Sequence, residues 1–177
     1  MVDMETDLKR STEVLMEGGV ILYPTDTVWG IGCDATNDEA IKKIYALKQR
    51  AESKAMIILL PDENDLIHFT ESPLQVMKEY LRHNDRPTTI IFPNAKNISS
   101  SLMAEDGSVA IRIVKDDFCI ALIKKLGKPL VSTSANRSGA ATPLTKSSAT
   151  FHVPRKSGTP SASTSSSPSI GAGSSRS

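Results

Sequence analysis

The chain has 177 residues, 39% of them hydrophobic, and a formal net charge of +1. That is enough chain for one domain with a sizeable core. No apolar run approaches the roughly 20 residues that span a bilayer. The start, Met1-Val2-Asp3-Met4-Glu5, is acidic and lacks the apolar stretch of a secretory signal, so a cytoplasmic protein with no membrane association is expected.

Residues 5–17 read as an amphipathic helix, with Leu8, Val14 and Leu15 on one face and Gly18-Gly19 ending it. A short apolar run, Val20-Ile21-Leu22-Tyr23, reads as a strand that stops at Pro24, which cannot donate to a ladder. Val28 to Cys33 resumes as strand. Thr36-Asn37-Asp38-Glu39 has the form of a capping box, opening a helix with Ala40, Ile41, Ile44, Tyr45 and Leu47 at helical spacing. Ala55 to Leu60 is a continuous apolar run stopped by Pro61, the pattern of a strand buried on both faces. Ser72-Pro73 starts a further helix with Leu74, Met77 and Leu81 on one stripe. Thr88 to Phe92 and Val109 to Val114 read as strands, Asp116-Asp117 opens a helix ending at Gly127, and Pro129 to Thr133 is a last strand. Alternating helices and strands without internal repeat predict a layered α/β domain.

Cys33 and Cys119 are far apart and in no metal-ligand spacing, which predicts two buried, reduced thiols. His68, His83 and His152 are isolated, so no metal site and no histidine-based triad is expected. All 20 acidic residues lie at or before Asp117, alongside 13 Lys and Arg; residues 118–177 carry 8 Lys and Arg and no acid. Such a region either lines a site for an anion, such as nucleotide phosphate or RNA, or reflects the bias of the tail. From Phe151 on, 16 of 27 residues are Ser, Gly or Pro, a composition too poor in apolar side chains to fold alone. The expected organisation is therefore an α/β domain over 5–150 and a disordered or aberrant tail over 151–177.

Three segments concentrate polar chemistry. Tyr23-Pro24-Thr25-Asp26-Thr27-Val28-Trp29-Gly30-Ile31-Gly32 puts hydroxyl and carboxylate side chains at a strand end before two glycines, which suits either a small-molecule site or a tight polar turn. Lys48-Gln49-Arg50, with Lys54 four residues beyond, places three cations where a helix ends. They can hold phosphates or simply complement the helix dipole. Ser132-Thr133-Ser134-Ala135-Asn136-Arg137-Ser138-Gly139 follows a strand directly, as a nucleotide contact or a Ser-rich loop would.

Taken together and in this order, the three segments closely resemble the YrdC family, the threonylcarbamoyl-AMP synthases, whose mark is a Lys-x-Arg paired with a distant Ser-x-Asn. Here these are Lys48/Arg50 and Ser134/Asn136, and the resemblance runs from about Glu13 to Thr142. It implies an open, twisted mixed sheet flanked by helices, with a deep basic cavity. It implies that L-threonine and bicarbonate form a carbamate that attacks the α-phosphate of ATP, giving threonylcarbamoyl-AMP and pyrophosphate. A threonylcarbamoyl transferase complex then modifies an adenosine of tRNA. In that scheme Lys48 and Arg50 are the catalytic cations, with Mg²⁺ accompanying the nucleotide. Lys54, Ser134, Asn136 and Arg112 contact the nucleotide, and Thr27 and Thr89 contact L-threonine. The sequence departs from the family pattern at Ala51 and Ala55, where prolines are usual. It departs also at Asp85-Arg86-Pro87 in place of Pro-Gly-Pro, and at Trp29 in place of Tyr.

Two other readings compete. A non-catalytic nucleotide- or RNA-binding module of the same type would use the basic cavity, although 5% aromatic residues without basic–aromatic interleaving is poor material for base stacking. A carbamoyl-transferring domain of a larger maturation protein is expected to carry zinc-finger and acylphosphatase-like flanks, which this sequence does not show. Family members continue past Ser-x-Asn through an amphipathic helix to a final apolar strand. Here that pattern starts at Ser147-Ser148-Ala149-Thr150-Phe151 and dissolves into the Ser-rich stretch, the mark of a frameshifted end or of a genuine disordered tail. Translating the other reading frames beyond codon 145 separates the two: a frameshift leaves an acidic helix and an apolar strand in another frame, and a genuine tail leaves neither.

Overall fold

A computed structural model describes residues 4–25, 29–48, 56–71, 75–84 and 86–135. The element order is α1 (Met4–Met16), β1 (Ile21–Pro24), β2 (Trp29–Asp34), α2 (Asp38–Lys48), β3 (Ile57–Leu60), a 3-10 turn (Glu63–Asp65) running into α3 (Leu66–Phe69), α4 (Gln75–His83), β4 (Thr89–Phe92), a 3-10 turn (Ser100–Leu102), β5 (Val109–Ile113), α5 (Asp117–Leu126) and β6 (Leu130–Ser134). The six strands form one sheet in the order β1-β2-β6-β3-β5-β4. Every neighbouring pair is antiparallel except β3 and β5. This is the layered α/β domain that the alternation of elements predicts and the open mixed sheet that the resemblance implies.

Residues opposite one another in a sheet share a face and alternate along each strand. The registers Cys33↔Val131↔Ile58↔Ile111↔Ile90 therefore define a first face. It packs on α2 through Ile41, Ile44 and Tyr45 in the larger of two apolar clusters. The opposite registers, Ile21↔Gly32↔Ser132↔Ile57↔Ala110↔Ile91, define a second face. Over β1, β6 and β3 it packs on α1 and α5, where Leu15 meets Cys119, Leu122, Ile123 and Leu126. Further along, the same face is less covered among the described residues: Ile57, Ala110, Thr89 and Arg112 are partly exposed, and Ile91 on edge strand β4 is 70% exposed.

The helix ends follow their local chemistry. Asp116 caps α5 by accepting from the Cys119 N–H at 2.9 Å, and Gly127 ends it at φ 70°, a conformation that suits glycine. Gly18, at φ 71°, lets the chain leave α1 while its own N–H and that of Gly19 donate to the Leu15 and Val14 carbonyls. Val14, expected on the buried face of α1, is instead 38% exposed; buried Thr12 takes that place and returns its hydroxyl to the Leu8 carbonyl. The capping box is also corrected. Asn37, not Thr36, caps α2 by accepting from the Ala40 N–H, while Glu39 pairs with Lys42 on the surface. Thr36 is committed elsewhere, its N–H and hydroxyl both donating to the buried Asp34 carboxylate, which Lys128 pairs at 2.8 Å on the other side. The proposed cap Ser72-Pro73 and the tail over 151–177 lie outside the described residues.

Both cysteines are free and buried, as predicted. Burial, reinforced by the adjacent Asp34 carboxylate and opposed in smaller measure by Lys43, pushes the Cys33 thiol well above its ordinary value. In the unfolded chain that thiol ionises from about pH 8.5 upward while the folded form keeps its proton. Folding stability is therefore full below that pH and falls as pH rises above it. Urea titrations from pH 7 to 10 should show this decline, and Cys33→Ala should flatten it; an unchanged slope would assign the decline to other groups.

Candidate functional site

β6 and α2 bring together two of the predicted residues that lie 86 positions apart. The Ala35 and Ala135 N–H groups donate to the Pro129 and Trp29 carbonyls at 3.0 and 2.9 Å. Odd-numbered residues of β6 thus turn their backbone groups toward β2. Ser134, of opposite parity, turns its carbonyl to the β3 side. Lys48 is the last residue of α2, and its Nζ donates to the Ser134 carbonyl at 2.7 Å and lies 3.5 Å from the Ser134 Oγ. Lys48 is 2% exposed. A buried ammonium is costly unless its donors are taken, and here one donor caps a strand end while the C-terminal end of α2 supplies a favourable field.

A second pair sits on the same face. Arg112 on β5 is opposite Thr89 on β4, and the Arg112 Nε donates to the Thr89 Oγ1 at 3.0 Å. Arg112 is in register with Leu59 and, through it, with Leu130. At about 3.3 Å per residue and 4.8 Å per strand, Ser134 and Arg112 stand about 16 Å apart. The face between them carries Ser132, Ile57 and Ala110, all partly exposed. Two polar pairs separated by a mostly apolar floor suit an extended ligand with polar groups at both ends. Of the eight predicted site residues, Lys48 meets Ser134 and Arg112 meets Thr89. Thr27, Arg50, Lys54 and Asn136 lie outside the described residues, so the expected basic cavity is not delineated.

The glycines of the first motif have a local reason. A Cβ at Gly32 would meet the Val131 carbonyl at 2.7 Å and the Tyr23 ring at 2.8 Å; one at Gly30 would meet the Thr25 Cγ2 at 2.9 Å and the Ser132 Oγ at 3.4 Å. The Tyr23 ring can therefore lie across β2 because Gly30 and Gly32 present no side chains there, and Tyr23 is 1% exposed. A cavity of about 550 Å³ adjoins this turn, lined among others by Arg10, Tyr23, Trp29 and Phe118. Sequence reasoning did not find that wall, since Arg10 and Phe118 belong to helices with no motif. Among the described residues, no group of three or more His, Cys, Asp or Glu stands together to hold a metal, and no helix is long and apolar enough to cross a membrane. Gly32→Ala should cost about 2 kcal/mol in urea unfolding, because a backbone carbonyl cannot move aside, and Gly30→Ala clearly less. Equal costs would show that Tyr23, not Val131, sets the limit.

A family model described as "Telomere recombination", covering the Sua5, YciO and YrdC proteins, matches residues 13–158. The fold is similar to that of P. abyssi Sua5 complexed with L-threonine, at TM-score 0.73 and 23% identity, over 81% of this chain and 42% of that one. It is similar also to E. coli YciO, at TM-score 0.66 and 23% identity, over 78% of this chain and 67% of that one. Full-length HypF in a phosphate- and nucleotide-bound form matches at TM-score 0.67 and 18% identity, over 76% of this chain and 21% of that one. The chain thus spans less than half the length of that Sua5. The family model spans most of the chain and the overall fold is similar to those of Sua5 and YciO: the chain belongs to the Sua5/YciO/YrdC family.

Proposed function

We propose that this protein is a threonylcarbamoyl-AMP synthase. The L-threonine amine and bicarbonate form a carbamate with loss of water, and the carbamate oxygen attacks the α-phosphorus of ATP; the α–β phosphoanhydride bond breaks and pyrophosphate leaves. The product carries the threonylcarbamoyl group as a mixed anhydride with AMP, ready for a transferase complex that modifies tRNA. The observation that carries this reading is the meeting of Lys48 and Ser134, one residue from each half of the family's paired motif, at one end of the sheet. Two likenesses support it: Sua5 in complex with L-threonine and HypF in a nucleotide-bound form share this fold.

The residue types suit the reaction. Attack on phosphorus needs no covalent nucleophile from the protein, only alignment and cations where charge develops on the leaving pyrophosphate. Lys48 and Arg50 supply those cations in this scheme, with Lys54 nearby, and Mg²⁺ enters on the phosphates of the nucleotide as part of the substrate. Ser134 and Asn136 hold the nucleotide, and Thr27, Thr89 and Arg112 take the threonine end and the phosphates. The 16 Å spacing of the two polar pairs accommodates a ligand of that length. A module that binds nucleotide or RNA without chemistry is the competing reading.

The test is pyrophosphate release by the purified full chain with ATP, Mg²⁺ and bicarbonate, with and without L-threonine. Threonine-dependent release is expected, with a loss of at least a hundredfold in Arg50→Ala and Asn136→Ala. Nucleotide binding by a folded protein without release would establish the binding module instead.

A further inference from the structure

A second concavity lies at the end of the sheet away from Lys48 and Ser134. Pro129 precedes Ser134 by about 16 Å of extended β6 and helps to line a cavity of about 340 Å³ between the end of β3, α3 and the end of α5. The floor is apolar, with Leu60, Phe69, Ile123 and Pro129. The walls are preformed. Pro61 and Pro129 have a fixed φ, Gly127 closes α5 with its N–H on the Ile123 carbonyl, and the Phe69 carbonyl accepts from the Lys96 N–H at 3.0 Å. Opposite charges stand on separate elements around that floor, Asp65 where the 3-10 turn enters α3 and Lys124 in the last turn of α5. Among the described residues neither side chain makes an ion pair or hydrogen bond, with the other or with any third group. Lys128, also at the wall, donates to the buried Asp34 carboxylate at 2.8 Å, which fixes its ammonium and leaves two donors. The formal charges of Asp34, Asp65, Lys124 and Lys128 sum to zero, so the cavity suits neither a bare anion nor a bare cation. We infer that it binds a zwitterion with an apolar body, the chemistry of a free amino acid with a large apolar side chain. The carboxylate meets Lys124 and Lys128, the ammonium meets Asp65, and the side chain covers Leu60, Phe69 and Ile123.

This site is independent of the synthase reading, so its test uses binding and not turnover. L-Phenylalanine is titrated into the isotope-labelled full chain and followed by amide NMR shifts, beside 3-phenylpropionate, which lacks the ammonium, and phenethylamine, which lacks the carboxylate. L-Phenylalanine should move amides of residues 65–69 and 123–129, and bind about tenfold more tightly than either analogue. Asp65→Asn and Lys124→Met, each removing one charge from a residue without a partner in the fold, should both weaken it about tenfold, and Arg112→Ala should leave it unchanged. Because the two variants sit on different elements, a folding defect in one leaves the other to decide. Equal binding of 3-phenylpropionate would make this a simple anion site, and equal binding of phenethylamine a simple cation site; either result overturns the inference. So would shifts confined to residues 89, 112 and 132, which would place the ligand on the open sheet face, or no shift at about 10 mM ligand.

Discussion

The two-residue alternation of β6 governs this domain. Val131 and Thr133 go into the α2-side core, while Leu130, Ser132 and Ser134 face the other way. A slip of one residue would bury two serine hydroxyls without partners and expose a valine, so register is strongly held by the cost of unsatisfied polar groups. The same alternation decides which backbone groups of β6 serve β2 and which serve β3. The position of the Lys48 ammonium is therefore a consequence of register as much as of helix geometry. Asp34 and Lys128 hold the other end of the same pairing, a buried carboxylate locking the start of β6 to the end of β2.

Around that strand the second sheet face divides into two territories. On one side α1 and α5 lay Leu15, Leu122 and Leu126 over β1 and β6 and make a packed layer. On the other side the face carries serines, a threonine, an arginine and small or branched apolar residues, Ser132, Ser134, Ile57, Ala110, Arg112 and Thr89 all being partly exposed. A surface that is apolar enough to hold a base or a side chain and polar at its ends is recognition surface rather than core.

How much of this was legible in the sequence depended on whether the signal was local. Asp116 and Gly127 bracket α5 as predicted, because caps act within one turn. The run ending in Leu60 is a central strand buried on both faces, because continuous apolar runs have few other uses. Thr36 and Glu39 misled, since a capping box is recognised by residue type and Asp34 competes for the same hydroxyl across the sheet end. Val14 misled for a related reason: Thr12 satisfies its own hydroxyl within α1 and can be buried in its stead. The loop from Phe92 to Val109 gave no sequence signal at all. It is held by distant partners, Ser99 donating its hydroxyl to Asp38 and Tyr45 donating its hydroxyl to the Ser101 carbonyl. Lys48 and Ser134 were singled out from the family resemblance; their contact was not readable, because it depends on strand parity and on a helix that ends at the right height.

The place of β6 in the sheet has a kinetic consequence. It is the last described strand in the chain yet lies between β2 and β3, so β1–β2 on one side and β3–β5–β4 on the other cannot join until residue 134 has been made. Each half is a partial sheet with an uncovered inner edge, and such edges invite pairing with other chains. Closing the sheet means ordering the long intervening chain before the contacts that reward it form, which makes this step slow. The nascent protein therefore passes through a stage in which its two inner edges must be kept apart from neighbours, and the strand that ends this exposure is the one that carries Ser134.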